Sequence, residues 1–202
     1  MIVAALLAAG GFVAAAVALV SVGPKGVGVS ALAMGLGMGG LASLTDGFAA
    51  FLTLAGVGAV ALTLILLGQR VPRVASARWL LGMAPVVGRE RVFDIRSLRL
   101  LAGVGVLMVT RLLSGHLTAG TVSTQGPAFA CLFAWEVGII RVVTGRGPSD
   151  LALGAFCAAM GTSAFLLLSS PHDSLVWAVL ISAVPAVPLV LLARSAPWES
   201  GS

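Results

Sequence analysis

Apolar positions in this chain form long unbroken runs separated by brief polar breaks. The i, i+3, i+4 stripe of a surface helix is missing, as is the alternation of a half-buried strand. Seven runs approach the roughly 20 residues that a helix needs to cross a bilayer: Ile2–Val22, Val27–Leu44, Phe48–Gly68, Leu100–Thr118, Gln125–Val143, Leu151–Leu168 and Leu175–Ala193. A helix satisfies its own backbone in lipid. The alternating segments of about ten residues that build a β-barrel do not occur. The pattern predicts an all-α, polytopic transmembrane bundle of about seven spans, with residues 1–202 forming a single integral membrane domain.

The second run is short and glycine-rich, and the turn Thr45-Asp46-Gly47 that follows it is tight. A re-entrant hairpin with the third run is therefore an alternative, and would leave six spans. The first run lacks a basic leader, so it reads as a span and not as a signal peptide.

Composition supports lipid as the solvent. The chain is 59% hydrophobic and 9% charged, with a mean hydropathy of +1.10. A soluble domain carries about 25% charged residues and cannot bury this much apolar surface. The formal net charge of +5 comes from Lys25 and eleven arginines. These sit between or beside apolar runs, where topology signals lie, so nucleic acid is not an expected partner. The bias to Arg, Ala, Gly and Val suits a bacterial protein of the cell (inner) membrane.

The basic segment 69–99 holds seven arginines. If it is cytoplasmic, Lys25, Arg141, Arg146 and Arg194 fall on the same side, and the N-terminus lies outside with the C-terminus inside. Eleven of the twelve basic residues then obey the positive-inside rule. Within this segment Trp79, Leu80, Leu81, Met83, Val86 and Val87 lie between Pro72 and Pro85 or close by. They suit either a short interfacial helix or a plain basic linker.

A shift of 119 positions superposes Gly26, Gly28, Ser30, Leu32, Ala33 and Gly35 on Gly145, Gly147, Ser149, Leu151, Ala152 and Gly154. Spans one to three would then be a parallel copy of spans five to seven, with the fourth as linker. This layout resembles that of the SWEET sugar transporters and the PnuC vitamin transporters, in architecture alone. Pro24, Pro127, Pro148 and Pro171 stand at span ends, and only Pro185 and Pro188 lie within a span. That departs from the mid-span prolines of SWEET proteins, so no family residue is carried over.

Candidate chemistry is sparse. Arg111 and Glu136 each stand about mid-span, on neighbouring antiparallel segments. Intramembrane charges usually face the bundle interior, pair, and mark pathways for substrates or ions. Gly35 and Gly39 form a GxxxG spacing suited to close helix packing. No Walker lysine accompanies these glycines, so they do not make a phosphate loop. Cys131 and Cys157 read as buried small hydrophobes. Asp46, Asp150 and Asp173 read as caps at span ends. No motif points to catalysis, and neither a metal nor a cofactor is expected. The sequence suggests a small transporter or permease-like protein for an unidentified solute. The alternative is a non-catalytic subunit of a larger membrane complex. Lipid is the constant partner, with a homo-oligomer or other membrane subunits as further ones.

Overall fold

The computed structural model describes residues 2–21, 23–70, 95–117, 122–145, 148–169 and 177–187. Among them every element is helical: α1 Ile2–Val20, α2 Gly23–Arg70, α3 Ile95–Leu117, α4 Val122–Thr144, α5 Pro148–Ser169 and the shorter α6, Trp177–Val187. Most of the basic segment 69–99, with its Trp79–Val87 stretch, lies outside the described residues, as does the Pro171–Asp173 turn.

The protein is an all-α membrane bundle, and among the described residues six helical segments are long and apolar enough to span. Two of them, Lys25–Thr45 and Gly47–Leu67, are the arms of α2. The chain reverses at Gly47, whose φ of 65° and ψ of −150° break the helix. Only glycine adopts that combination readily. Each arm has 21 residues, roughly 30 Å of helix. The second run therefore forms a full-length span rather than a short re-entrant limb.

Glycine sets the distance between the arms. A Cβ on Gly35 would lie 2.7 Å from the Leu54 carbonyl oxygen and 3.0 Å from Gly58 Cα. One on Gly39 would lie 2.9 Å from the Phe51 carbonyl oxygen. The backbones touch because these positions carry no side chain. The same device closes the α4–α5 hairpin, where Gly138 meets Gly154 and Gly161 meets Cys131.

At the centre, α1 and α4 run parallel. Gly11 lies against Ala130 and Ala8 against Gly126. Phe12 packs on Phe133 and Phe129, with ring centroids 4.7 and 5.9 Å apart. Gly11 and Ala130 are 119 positions apart in the chain, the separation expected where copies related by a two-fold axis meet. The matched glycines nonetheless differ in role. Gly35 faces the second arm of α2, whereas Gly154 faces α4.

The first arm of α2 packs antiparallel on α1, with Gly37 against Ala14 and Gly11. At the turn end of the bundle the Thr45 hydroxyl donates 2.8 Å to the Leu167 carbonyl. That bond satisfies one of the acceptors left open at the end of α5. At α6 the Ser163 hydroxyl donates to the Ala178 carbonyl at 3.1 Å. Helix α3 is peripheral. It lies mainly on α4, touches α1 lightly, and is the least buried of the spans.

Candidate functional site

Among the described residues the bundle holds two polar centres. The first closes the end opposite the Gly47 turn and joins four helices. Arg99 of α3 and Arg141 of α4 are each 1% exposed. Both reach Asp150, in the first turn of α5: Arg99 Nη2 lies 2.8 Å from Oδ2, and Arg141 Nη2 lies 2.5 Å from Oδ1. Arg99 Nε donates to Thr144 Oγ1 at 3.1 Å. Arg141 Nη1 donates to the Ala18 carbonyl, and to the Ser21 carbonyl and hydroxyl at 3.1 and 2.9 Å.

Local sequence makes this cluster possible. Pro148 opens α5, where a proline loses no helical bond. Asp150 follows in the first turn, where the helix dipole favours a carboxylate. Arg141 lies in the last turn of α4 and also caps the open carbonyls ending α1, which carry partial negative charge. Gly145 lets the chain fold back: a Cβ there would stand 2.6 Å from the Arg141 carbonyl oxygen and 2.9 Å from Asp150 Cβ.

Two positive charges thus meet one carboxylate and a helix C-terminus. The compensation explains why α3 begins before Leu100. Arg99, expected in the basic linker, lies buried within a helix because Asp150 neutralises it. Asp150, expected as a simple cap, is the hub of an ion cluster. The sequence did carry a signal: Asp150 is the acidic residue beside Arg141 and Arg146 at the α4–α5 turn. What it lacked was the approach of α3.

The second centre lies near the middle of α4. Glu136 of α4 is buried, and its Oε2 accepts a hydrogen bond from Thr110 Oγ1 of α3. The level is set by α4: Gly138, two residues on, packs against Ala158 and Gly154, and Ala158 is halfway along α5. A lone charge at such depth costs about 2.5–3.5 kcal/mol on insertion scales.

Arg111 follows Thr110 directly but is exposed on the outer face of α3. Among the described residues it forms no ion pair with Glu136, and the ion pairs found are those of Asp150. Helix geometry is the reason. Successive residues are turned by about 100°, so α3 directs Thr110 into the bundle and Arg111 away from it. The bundle brings Glu136 together with Thr110.

The Thr110 hydroxyl has one proton and two acceptors: Glu136 Oε2 and, at 2.9 Å, the Val106 carbonyl. With Glu136 ionised, the hydroxyl donates to the carboxylate. With Glu136 protonated, the acid donates to Thr110 Oγ1, and the threonine proton turns to Val106. Either proton state keeps a hydrogen bond. Asp150 has no such freedom between its two arginines.

Cys131 and Cys157 are buried and unbridged. Among the described residues no group of histidine, cysteine, aspartate and glutamate is arranged to hold a metal ion. The class that fold and site define is a polytopic membrane protein with, among the described residues, an ion cluster at one end of the bundle and a buried carboxyl hydrogen-bonded to a threonine. No protein family, curated protein or solved structure was found to match the chain.

Proposed function

We propose that this protein is a small multi-pass transporter of the bacterial cell membrane, and that Glu136 carries a proton as part of its cycle. The observation behind the reading is the Glu136–Thr110 contact. A buried carboxyl near the middle of α4, beside a hydroxyl that accommodates both of its proton states, supports the reading. Ionisable groups in this position mark proton and ion pathways. The solute remains open, since the chain has few other polar groups within its spans.

Reconstitution into liposomes with an imposed pH gradient tests the reading. A panel of amino acids, sugars and vitamins is offered outside, and uptake is followed. Gradient-driven uptake of one class is expected, abolished by Glu136→Gln while the variant keeps its thermal stability. The carboxyl C=O stretch seen by infrared difference spectroscopy should respond to the pH step and vanish in the same variant. If Glu136 has no proton-linked signal and no solute moves, the transporter reading fails. The second reading, a subunit of a membrane complex, is favoured by the outward position of Arg111.

A further inference from the structure

Four helices close a ring in the core of the bundle: α1, the first arm of α2, α5 and α4. Each packs on the next, with little contact across the diagonals. Sulfur collects where the first arm of α2 meets α5. Thr45 bonds to the Leu167 carbonyl, which fixes the register of these two parallel helices. Seven residues back on each, two turns along the same row, stand Met38 and Met160. Met34 follows one turn below Met38, and Cys157 just under a turn below Met160. All four residues are 0% exposed, and all lie close to the middle of their spans, Lys25–Thr45 and Asp150–Ser169. The Met38 methyl group reaches toward the other side of the ring. A Cβ on Gly11 of α1 would stand 3.4 Å from it and 3.4 Å from the Ala130 Cβ of α4.

Thioether and thiolate sulfur are soft ligands and select soft cations such as Cu(I), whereas carboxylates and carbonyls suit Mg2+ and Ca2+. Glu136 of α4 is turned to Thr110 of α3 and away from this ring. A hard ion or a sugar would find few polar partners among these helices. A soft cation would find three thioethers and a thiol. The scarcity of polar groups within the spans therefore counts against most solutes and not against this one.

We propose that Met34, Met38, Met160 and Cys157 form a binding site for a soft monovalent cation, Cu(I), inside the four-helix ring. The inference rests on the transporter reading and names its class of solute. Transporters hold their cargo near the middle of the membrane, between helices. As the Cu–S bond forms, the Cys157 thiol gives its proton to water. One positive charge enters and one leaves, so the apolar core keeps its net charge.

The test uses the purified full-length protein in detergent, with ascorbate to hold copper as Cu(I). Titration against a competing Cu(I) chelator should show a single ion per chain, and X-ray absorption should show sulfur neighbours alone. Bound Cu(I) should also raise the unfolding temperature. Met38→Leu and Met160→Leu conserve volume, so both variants should fold. Each should weaken binding at least roughly ten-fold. Met108→Leu, on the lipid-facing side of α3, and Cys131→Ala should leave binding unchanged. No bound copper would overturn the proposal. So would binding indifferent to Met38→Leu and Met160→Leu, or oxygen and nitrogen neighbours in the spectrum. Glu136→Gln should bind copper as the unaltered protein does, which separates this site from the proton carrier. If copper does not bind while a pH gradient still drives another solute, the site falls and the transporter reading stands. If copper binds and no gradient-driven flux of any solute follows, the site stands and the transporter reading falls.

Discussion

Single residues decide the geometry at three places, and each yields a different expectation. Gly47 combines a positive φ with an extended ψ, a region closed to residues with a Cβ. No atom lies within 4 Å of where its Cβ would be, so a substitution meets backbone strain alone. Gly47→Ala should lower stability by about 1–3 kcal/mol, read by thermal unfolding in detergent. Asparagine should not rescue it, because its tolerance is for the ordinary left-handed helical region, where ψ is positive. At Asp150 the effect is electrostatic. Asp150→Asn leaves Arg99 and Arg141 buried without a countercharge, and breaking such a pair costs about 3–5 kcal/mol. The side chain of Asp150 is 21% exposed, so the lower end of that range is expected. Adding Arg99→Met should recover part of the loss in a double-mutant cycle. At Thr110 the test is coupling: Thr110→Val and Glu136→Gln should be non-additive in stability, and Arg111→Gln with Glu136→Gln additive. Coupling between Arg111 and Glu136 in place of Thr110 would contradict the arrangement of α3 described above.

Between elements, the α2 hairpin depends on which glycines face the opposing arm. Gly58 lies against Ala31 and Gly35, where a Cβ would stand 2.6 Å from the Ala31 carbonyl oxygen. Gly56, two residues away, has nothing within 4 Å. Gly58→Ala should destabilise the hairpin by about 1–3 kcal/mol through overpacking. Gly56→Ala should be neutral or stabilising by up to about 1 kcal/mol, since alanine is the better helix former. Unfolding in detergent measures both, and equal effects would mean that the two arms are not packed at Gly58. The existence and rough limits of the helices were legible from apolar run length, because lipid demands that length and helical hydrogen bonding. Their ends were less so. The arginine and aspartate near the starts of α3 and α5 resembled loop charges until their partners were known. The position of Glu136 near the middle of its helix could be read by counting residues. Its partner could not, because residue count gives height along a helix and says little about rotation around it.

Across the whole molecule, the charge pattern predicts orientation. The end of the bundle that carries Arg99 and Arg141 should face the cytoplasm, with the Gly47 turn outside. Reporter fusions after Asp46, Ser76, Gly120, Gly147 and Asp173 should alternate outside, inside, outside, inside, outside. A reporter at Ser76 found outside would reject the scheme. The parallel contact of α1 with α4 agrees with an even number of crossings between the start of one and the start of the other, as this order requires.

By itself the sequence determined that the chain is a helical membrane protein, about how many times it crosses, and which positions carry costly charge. Those properties follow from run length, composition and the free energy of polar groups in lipid, all of which are additive along the chain. Only the tertiary structure decided that Glu136 meets Thr110, that Asp150 binds two arginines, and that Arg111 faces outward. These facts depend on how each helix is rotated and which neighbours it touches. Such rotation is fixed by glycine contacts and hydrogen bonds between segments more than a hundred residues apart, as between Arg141 and Ser21, which no local pattern encodes.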